Sequence, residues 1–230
     1  MKREEVRKRI QEAGVIASIR LDSTEDALFA AEAIHHGGIS VMEIALTVPG
    51  ATDIIDLLGT RYPGLIAGAG SVLNAEAAQE CVQAGARFLT SDGLRPSLAG
   101  FATHHEMVFI PGALTPTEVI TAWDSGCDFV KVVPCAQIGG ETYVRSLHRM
   151  FPHIPLVAAG GVNQLTASRY IFAGAVAVGI GSEILPAAAI RHRQTDRIAE
   201  LARRFAGFVR NAREGKLPER EGPFMITPGS

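Results

Sequence analysis

Short apolar segments alternate with amphipathic segments at a regular interval along the 230-residue chain. The apolar segments are rich in β-branched residues, which is typical of strands buried on both faces of a sheet. The pattern predicts eight strands, at residues 15–19, 41–45, 66–69, 87–90, 108–110, 129–133, 156–158 and 175–180. Between them, apolar residues recur every three or four positions, which predicts helices. These helices are placed at residues 24–35, 51–59, 75–84, 96–102, 116–124, 140–150 and 164–173.

The starts of several helices carry capping residues. Ser23, Asn74 and Thr115 stand directly before helices, where a side-chain oxygen can accept from free backbone N–H groups. Eight strand–helix units in a chain of this length predict an α/β fold, a (β/α)8 TIM barrel, with an added N-terminal helix and a basic, solvated outer helix around residues 191–213. A doubly wound open sheet is the competing architecture. It usually carries a glycine-rich segment after its first strand, and residues 20–23 contain no glycine.

Composition narrows the class of protein. Hydrophobic residues make up 47% of the chain and charged residues 20%, which favours one globular domain with a large core. We assign residues 1–214 to this domain and residues 215–230 to a C-terminal tail that either frays or lies against a neighbouring subunit. The net charge of −2 argues against nucleic acid or an acidic membrane surface as the partner.

Other features bear on the compartment and on metals. The three cysteines form no Cys-x-x-Cys pair, which indicates a reducing, cytoplasmic setting. Residues 1–5 have mixed charge and no apolar run follows them, so we expect no signal peptide. No uncharged apolar stretch reaches about 18 residues, so we expect no transmembrane helix. The adjacent histidine pairs at 35–36 and 104–105 lack the spacing of a metal-binding helix face, and we expect no metal site.

Lys131 is the most unusual polar residue of the predicted strands. It lies within Phe129-Val130-Lys131-Val132-Val133, where an ammonium ion is costly unless it is paired or deprotonated. Desolvation favours the neutral amine, which attacks carbonyl carbon, so Lys131 is a candidate Schiff-base nucleophile. The alternative is a lysine with a buried stem whose charged head reaches solvent.

The barrel prediction gives other polar residues a position. Catalytic groups of such barrels lie at the carboxyl ends of the strands, where we expect Arg20, Glu43, Ser71 and Lys131. Glu43 could carry protons, or it could form a buried structural ion pair with Arg20 or Lys131. Glycines follow strands seven and eight, at Gly160-Gly161 and Gly179-Ile180-Gly181-Ser182. Loops at these two places often bind phosphate through backbone N–H groups.

Several motifs resemble one family in their order along the chain. They are Glu43 in Val-Met-Glu-Ile-Ala-Leu, the segment from Gly68 to Asn74, the segment from Pro111 to Glu118, Lys131 in Phe-Val-Lys-Val-Val-Pro, and Gly160-Gly161-Val162. Residues 10–190 are similar to the class I aldolases that act on 2-keto-3-deoxy-6-phosphogluconate and 4-hydroxy-2-oxoglutarate. The resemblance implies a (β/α)8 barrel that assembles as a homotrimer and uses no metal or organic cofactor.

The resemblance also implies roles for individual residues. Lys131 takes the place of the Schiff-base lysine and Glu43 that of the general acid/base. Gly160, Gly161, Gly181 and Ser182 match the phosphate loops, and Ser71 replaces a threonine near the substrate carboxylate. The chain departs from the family at four positions: Thr47 replaces an arginine that binds the pyruvate carboxylate, Ala159 a threonine, Val133 an aromatic residue and Asp92 a proline. We hypothesise that Arg20 supplies the missing cation.

The expected substrate is therefore a small 2-keto-4-hydroxy acid, phosphorylated or not, which is cleaved to pyruvate and an aldehyde. Three other functions stay open from the sequence. One is an aldolase for a different 2-keto-3-deoxy sugar acid. Another is an isomerase or synthase barrel in which Lys131 only neutralises substrate charge. The third is a catalytically silent protein that senses a keto acid, which Thr47 and Ala159 make conceivable.

Overall fold

The computed structural model describes residues 1–216 and shows a closed barrel of eight parallel strands. Each strand pairs with the next along the chain, and the eighth pairs with the first. The (β/α)8 prediction is therefore confirmed. The strands are β1 Val15–Ile19, β2 Val41–Ala45, β3 Ile66–Gly70, β4 Phe88–Ser91, β5 Val108–Ala113, β6 Val130–Val132, β7 Leu156–Ala159 and β8 Ala175–Ile180.

Helices surround the barrel and one covers its lower end. They are α1 Arg3–Ala13, α2 Thr24–His36, α3 Ala51–Arg61, α4 Ala75–Gln83, α5 Pro96–His104, α6 Pro116–Asp124, α7 Gly140–Met150, α8 Ala167–Phe172, α9 Ala187–Arg191 and α10 Thr195–Arg213, with a 3-10 turn at Ala136–Ile138. Within residues 1–216, no helix is both long enough and apolar enough to cross a membrane. Of the predicted C-terminal tail, residues 217–230 lie outside the described residues.

The predicted capping residues do cap their helices. The side chain of Ser23 accepts from Asp26 N–H at 3.1 Å, and that of Asn74 from Ala77 N–H at 2.8 Å. Thr115 forms a reciprocal capping box with Glu118, whose carboxylate accepts from Thr115 N–H at 2.8 Å. Each contact satisfies a backbone donor that the first helical turn leaves free, so the boundaries follow from local sequence.

Two predicted boundaries near the C-terminal half were wrong. The helix expected at 164–173 begins at Ala167, because the Asn163 side chain accepts from Leu165 and Thr166 N–H groups and holds a turn there. The basic helix expected around residues 191–213 is α10, which begins at Thr195 because a break at Arg193 separates it from α9. This helix is not solvated on all sides, since it buries an apolar face that includes Phe205 and Val209.

The side chains of the strands divide the core into two layers. Alternate residues point outward into a layer between the strands and the helices, and the residues between them point into the barrel. The lower half of the interior is apolar and includes Ile66, Phe88 and Phe129. Val6 and Ile10 of α1 pack against it, so the lower end is closed. The upper half, at the carboxyl ends of the strands, contains the polar interior residues.

Candidate active site

A cavity of about 290 Å³ opens at the carboxyl ends of the strands. Its size is suited to a small organic molecule. Its charged lining residues are Arg20, Glu43, Asp92, Lys131 and Glu183. The glycine loops form another part of the wall, through Gly160, Gly161, Gly181 and Ser182. Within residues 1–216, no group of three or more His, Cys, Asp or Glu side chains is placed to hold a metal ion.

Lys131 lies in the middle of β6, not at its end as the sequence suggested. Its neighbours in the ladder are Gly112 on β5 and Val157 on β7, and its side chain is 9% exposed. The side chain points into the barrel, and Nζ donates to Asp92 Oδ1 at 3.2 Å and to Thr90 Oγ1 at 3.4 Å. The head of this lysine therefore lies in the cavity with two polar partners, and it does not extend into bulk solvent.

Glu43 is the third of five residues of β2 and is buried at the cavity wall. Ser18, its neighbour on β1, donates from Oγ to Glu43 Oε1 at 3.1 Å. The salt bridges within residues 1–216 pair Arg20 and Lys131 with Asp92 and do not include Glu43. The alternative of a structural ion pair between Glu43 and either cation is therefore not observed, and Glu43 faces the cavity without a bound cation in the described part of the chain.

Gly70 provides the space that the Glu43 side chain occupies. These residues lie on neighbouring strands, β3 and β2, and a Cβ added at Gly70 would overlap the Glu43 carboxyl group. Two residues earlier on the same strand, a Cβ at Gly68 would overlap the ring of Phe88. Both glycines therefore face the interior, one beside the polar half and one beside the apolar half.

Asp92 connects three residues at the mouth of the cavity. Besides its contact with Lys131, its Oδ2 accepts from Ser71 Oγ at 2.9 Å and lies 3.8 Å from Arg20 Nη2. Arg20 Nη2 in turn donates to Ser71 Oγ at 2.8 Å. Burial raises the pKa of the Asp92 carboxyl, but the Lys131 ammonium, the hydrogen bond from Ser71 and the Arg20 guanidinium together lower this pKa below its usual value.

The sequence analysis treated Asp92 only as a departure from a family pattern and did not consider Thr90. The alternation of side chains along a strand could have identified both residues. Phe88, Thr90 and Asp92 are spaced by two residues, so that the interior position of Phe88 also directs the next two side chains inward. The position of Asp92 beside Lys131 could not be read in this way, because β5 lies between their strands.

Gly160 and Gly161, in the loop after β7, lie where a side chain would be strained or would clash. Gly160 and Gly161 have φ of 81° and 83°, which side chains rarely adopt. A Cβ at Gly160 would also lie 2.7 Å from Pro134 Cα. The backbone at Gly160 and Gly161 therefore approaches the segment after β6 closely, and both residues line the cavity.

Thr47 is a predicted site residue that the structure does not bring to the cavity. It lies two residues after β2, is exposed, and is absent from the cavity lining. Ser71 contacts Arg20 and Asp92 at the rim and does not line the cavity itself. The other predicted residues, from Arg20 to Ser182, surround one space.

Comparison with known proteins finds relatives that share this fold. The family model described as KDPG and KHG aldolase matches residues 6–201. A 2-dehydro-3-deoxy-phosphogluconate aldolase of Zymomonas mobilis is 30% identical over 87% of this chain and 94% of its own length. A KHG/KDPG aldolase of Escherichia coli is 32% identical over 82% and 89%. A crystal structure of KDPG aldolase from Legionella pneumophila, with pyruvate captured as a covalent carbinolamine, is 31% identical with a TM-score of 0.77, over 86% of this chain and 96% of that one.

Proposed function

Because the chain belongs to the KDPG and KHG aldolase family and is an aldolase, a lyase, we propose that it cleaves a 2-keto-4-hydroxy acid through an imine on Lys131. The single observation that carries this proposal is the position of Lys131 Nζ, which lies inside the barrel mouth in a cavity that Glu43 also lines. The carbinolamine with pyruvate in the Legionella relative is consistent with it.

The first step forms the carbon–nitrogen bond. Lys131 Nζ gives up a proton, and the free amine attacks the C2 carbonyl of the substrate to form a carbinolamine. Loss of water then yields an iminium ion, which can accept the electron pair released when a neighbouring bond breaks. The ion pair between Nζ and Asp92 has to open before the amine can attack, because a protonated nitrogen has no free electron pair.

The second step breaks the carbon–carbon bond. We propose that Glu43, directly or through water, takes the proton of the C4 hydroxyl group while the C3–C4 electron pair moves into the iminium system. The aldehyde leaves, and the remaining enamine is protonated at C3. Hydrolysis then releases pyruvate and regenerates Lys131. The Ser18 hydroxyl, which donates to Glu43, holds the carboxylate at the wall from which it can serve both proton transfers.

The second product depends on the substrate. Glyceraldehyde 3-phosphate forms if the substrate is 2-keto-3-deoxy-6-phosphogluconate, and glyoxylate forms if it is 4-hydroxy-2-oxoglutarate. We propose that Gly160, Gly161, Gly181 and Ser182 contact the end of the substrate remote from Lys131, with a phosphate group accepted there when one is present. The ratio of the activities on matched phosphorylated and unphosphorylated 2-keto-3-deoxy acids would measure how much the phosphate group contributes to catalysis.

Arg20 and Ser71 are the proposed partners of the substrate carboxylate. Both present hydrogen-bond donors at the rim, where they contact the Asp92 carboxylate that also pairs with Lys131, whereas Thr47 does not line the cavity. We expect Arg20→Ala to weaken the apparent affinity for pyruvate. An unchanged affinity in this variant would remove Arg20 from the site.

The homotrimer and the cytoplasmic location implied by the family resemblance and the cysteine pattern remain proposals. Analytical ultracentrifugation of the full chain would test the trimer, with a sedimentation mass near three chains as the expected result.

Borohydride reduction in the presence of pyruvate tests the central proposal. Reduction should fix a covalent adduct on Lys131, found by peptide mass spectrometry, and Lys131→Arg should abolish both the adduct and pyruvate release. A lysine that only neutralises substrate charge, a role that its ion pair with Asp92 would also permit, forms no imine. An absent adduct, or an adduct on another lysine, would therefore overturn the imine on Lys131.

A further inference from the structure

Asp92 behaves as a ligand that the protein provides for its own cavity. Its carboxylate contacts an ammonium group at 3.2 Å and a hydroxyl donor at 2.9 Å, with a guanidinium nitrogen at 3.8 Å. An ammonium, a guanidinium and a hydroxyl group form the kind of donor set that proteins use to bind carboxylates. The donors come from β6, from the end of β1 and from the residue after β3, so they converge only in the folded barrel.

A 2-keto acid bound to Lys131 would place its own carboxylate among the same donors. The carboxylate carbon is attached to the carbon that Nζ attacks, so its oxygens lie roughly 3 Å from Nζ. Asp92 Oδ1 already lies 3.2 Å from that nitrogen. Two carboxylates cannot share this position without strong repulsion. The Asp92 side chain is 53% exposed, so it is free to rotate toward water when another anion arrives.

We propose that Asp92 is a specificity-determining residue that occupies the carboxylate end of the cavity in the free protein and is exchanged for the carboxylate of the incoming 2-keto acid. The inference rests on the proposed imine chemistry of Lys131. It predicts that displacing Asp92 makes the binding free energy of a carboxylate-bearing ketone less favourable. A neutral ketone that reacts with the same lysine leaves Arg20 and Ser71 in contact with Asp92, so most of this free-energy cost is absent.

The test compares pyruvate with methyl pyruvate, its neutral ester, in the wild-type chain and in Asp92→Asn. The concentration of each ketone that gives half-maximal borohydride-fixed adduct on Lys131 is measured by intact mass. We expect Asp92→Asn to lower this concentration for pyruvate about three- to tenfold, as suits a partly exposed ion pair. The value for methyl pyruvate should change less than twofold, because this ketone brings no competing charge.

Two further variants complete the design. Asp92→Ala removes the carboxylate together with its hydrogen bonds and should show the same selectivity for pyruvate. Asp22→Asn makes the same chemical change at an exposed residue that follows β1 and does not line the cavity, and it should leave both values unchanged. Circular dichroism and urea unfolding establish that each variant is folded.

The possible results separate the two proposals. If the wild-type chain forms no adduct on Lys131 with either ketone, the imine chemistry fails. If the wild-type adduct forms but Asp92→Asn leaves pyruvate binding unchanged or weakens it, only the role of Asp92 fails. Equal shifts for pyruvate and methyl pyruvate would also overturn the exchange, because they would show that Asp92 acts on the reactivity of Lys131 itself.

Discussion

The two ends of the barrel each hold an aspartate paired with a cation, and both pairs involve the chain at or beside β6. At the lower end, Arg3 Nε of α1 donates to both carboxylate oxygens of Asp128, at 3.0 and 3.2 Å. At the upper end, Lys131 pairs with Asp92. The two aspartates differ in their surroundings. Asp128 is 6% exposed and also accepts from Phe109 N–H at 2.9 Å, whereas Asp92 is half exposed at a cavity.

From this difference we infer that Asp128 has a structural role, whereas Asp92 belongs to the candidate active site. Asp128 is buried beside the apolar lower layer and accepts from Arg3 and from Phe109 N–H, so we assign its pairing to the closure of the barrel by α1. Asp92 and Lys131 face the cavity, where we propose that groups of a substrate replace their partners. We therefore expect changes at the upper end to reduce activity more than stability, and changes at the lower end to do the reverse.

After the loss of Lys131 itself, the largest effect is expected at Glu43. Glu43→Gln keeps the shape of the side chain but removes the proton acceptor, so turnover should fall by about 10² to 10⁴ while the urea midpoint changes little. Steady-state pyruvate release measures turnover, and borohydride trapping should still find the adduct on Lys131. A variant within tenfold of the wild-type turnover would exclude Glu43 as the proton carrier.

Asp128→Ala should produce the opposite result. It leaves Phe109 N–H without its buried acceptor and Arg3 without its carboxylate, so the free energy of unfolding should fall by about 2–3 kcal/mol. Urea titration measures the loss. The control is Asp124→Ala, an exposed residue at the end of α6, which should cost far less. If Asp128→Ala abolished the Lys131 adduct in a fully folded protein, the division between the two ends would be wrong.

A pair of glycines on β3 tests the comparison within one strand. Gly70→Ala should push the Glu43 carboxyl group from its position and lower turnover by tenfold or more, while Gly68→Ala should collide with Phe88 and lower the free energy of unfolding by about 1–3 kcal/mol. Both variants add the same methyl group. Equal losses of turnover and stability in the two variants would contradict the separation.

The smallest expected effect is a change of stability with pH, and Cys127, near the lower end of the barrel, is the residue that tests it. Burial, followed by the charge of Asp128, raises the pKa of Cys127 from 9.0 to about 12. Because the folded state favours the neutral thiol, its stabilising contribution is complete below pH 9 and is lost as the pH rises toward 12. Urea unfolding at pH 7 and pH 10.5 should show a smaller alkaline loss in Cys127→Ala than in the wild type. An identical loss in both would remove Cys127 as a contributor.

The local sequence was sufficient to predict much of the fold and to select two of the candidate site residues. Apolar periodicity located all eight strands, and Ser23, Asn74 and Thr115 located helix starts, because strands and caps depend on neighbouring residues. The same reasoning selected Lys131 and Glu43, since a charged residue within an apolar strand is costly wherever that strand lies. It expected Lys131 at the carboxyl end of its strand, whereas Lys131 is the central residue of the short strand β6.

Only the tertiary structure decided which of these side chains meet. Asp92 and Lys131 are 39 residues apart, on segments separated by β5, and their contact depends on the register of successive strand pairs around the closed barrel. The same registers direct Glu43 toward Ser18 instead of a cation and leave Thr47 outside the cavity. The sequence by itself therefore determined the elements, the fold class and the two candidate reactive side chains. Their partners were set by barrel closure, because contact across the interior depends on every strand pairing at once and on no single local pattern.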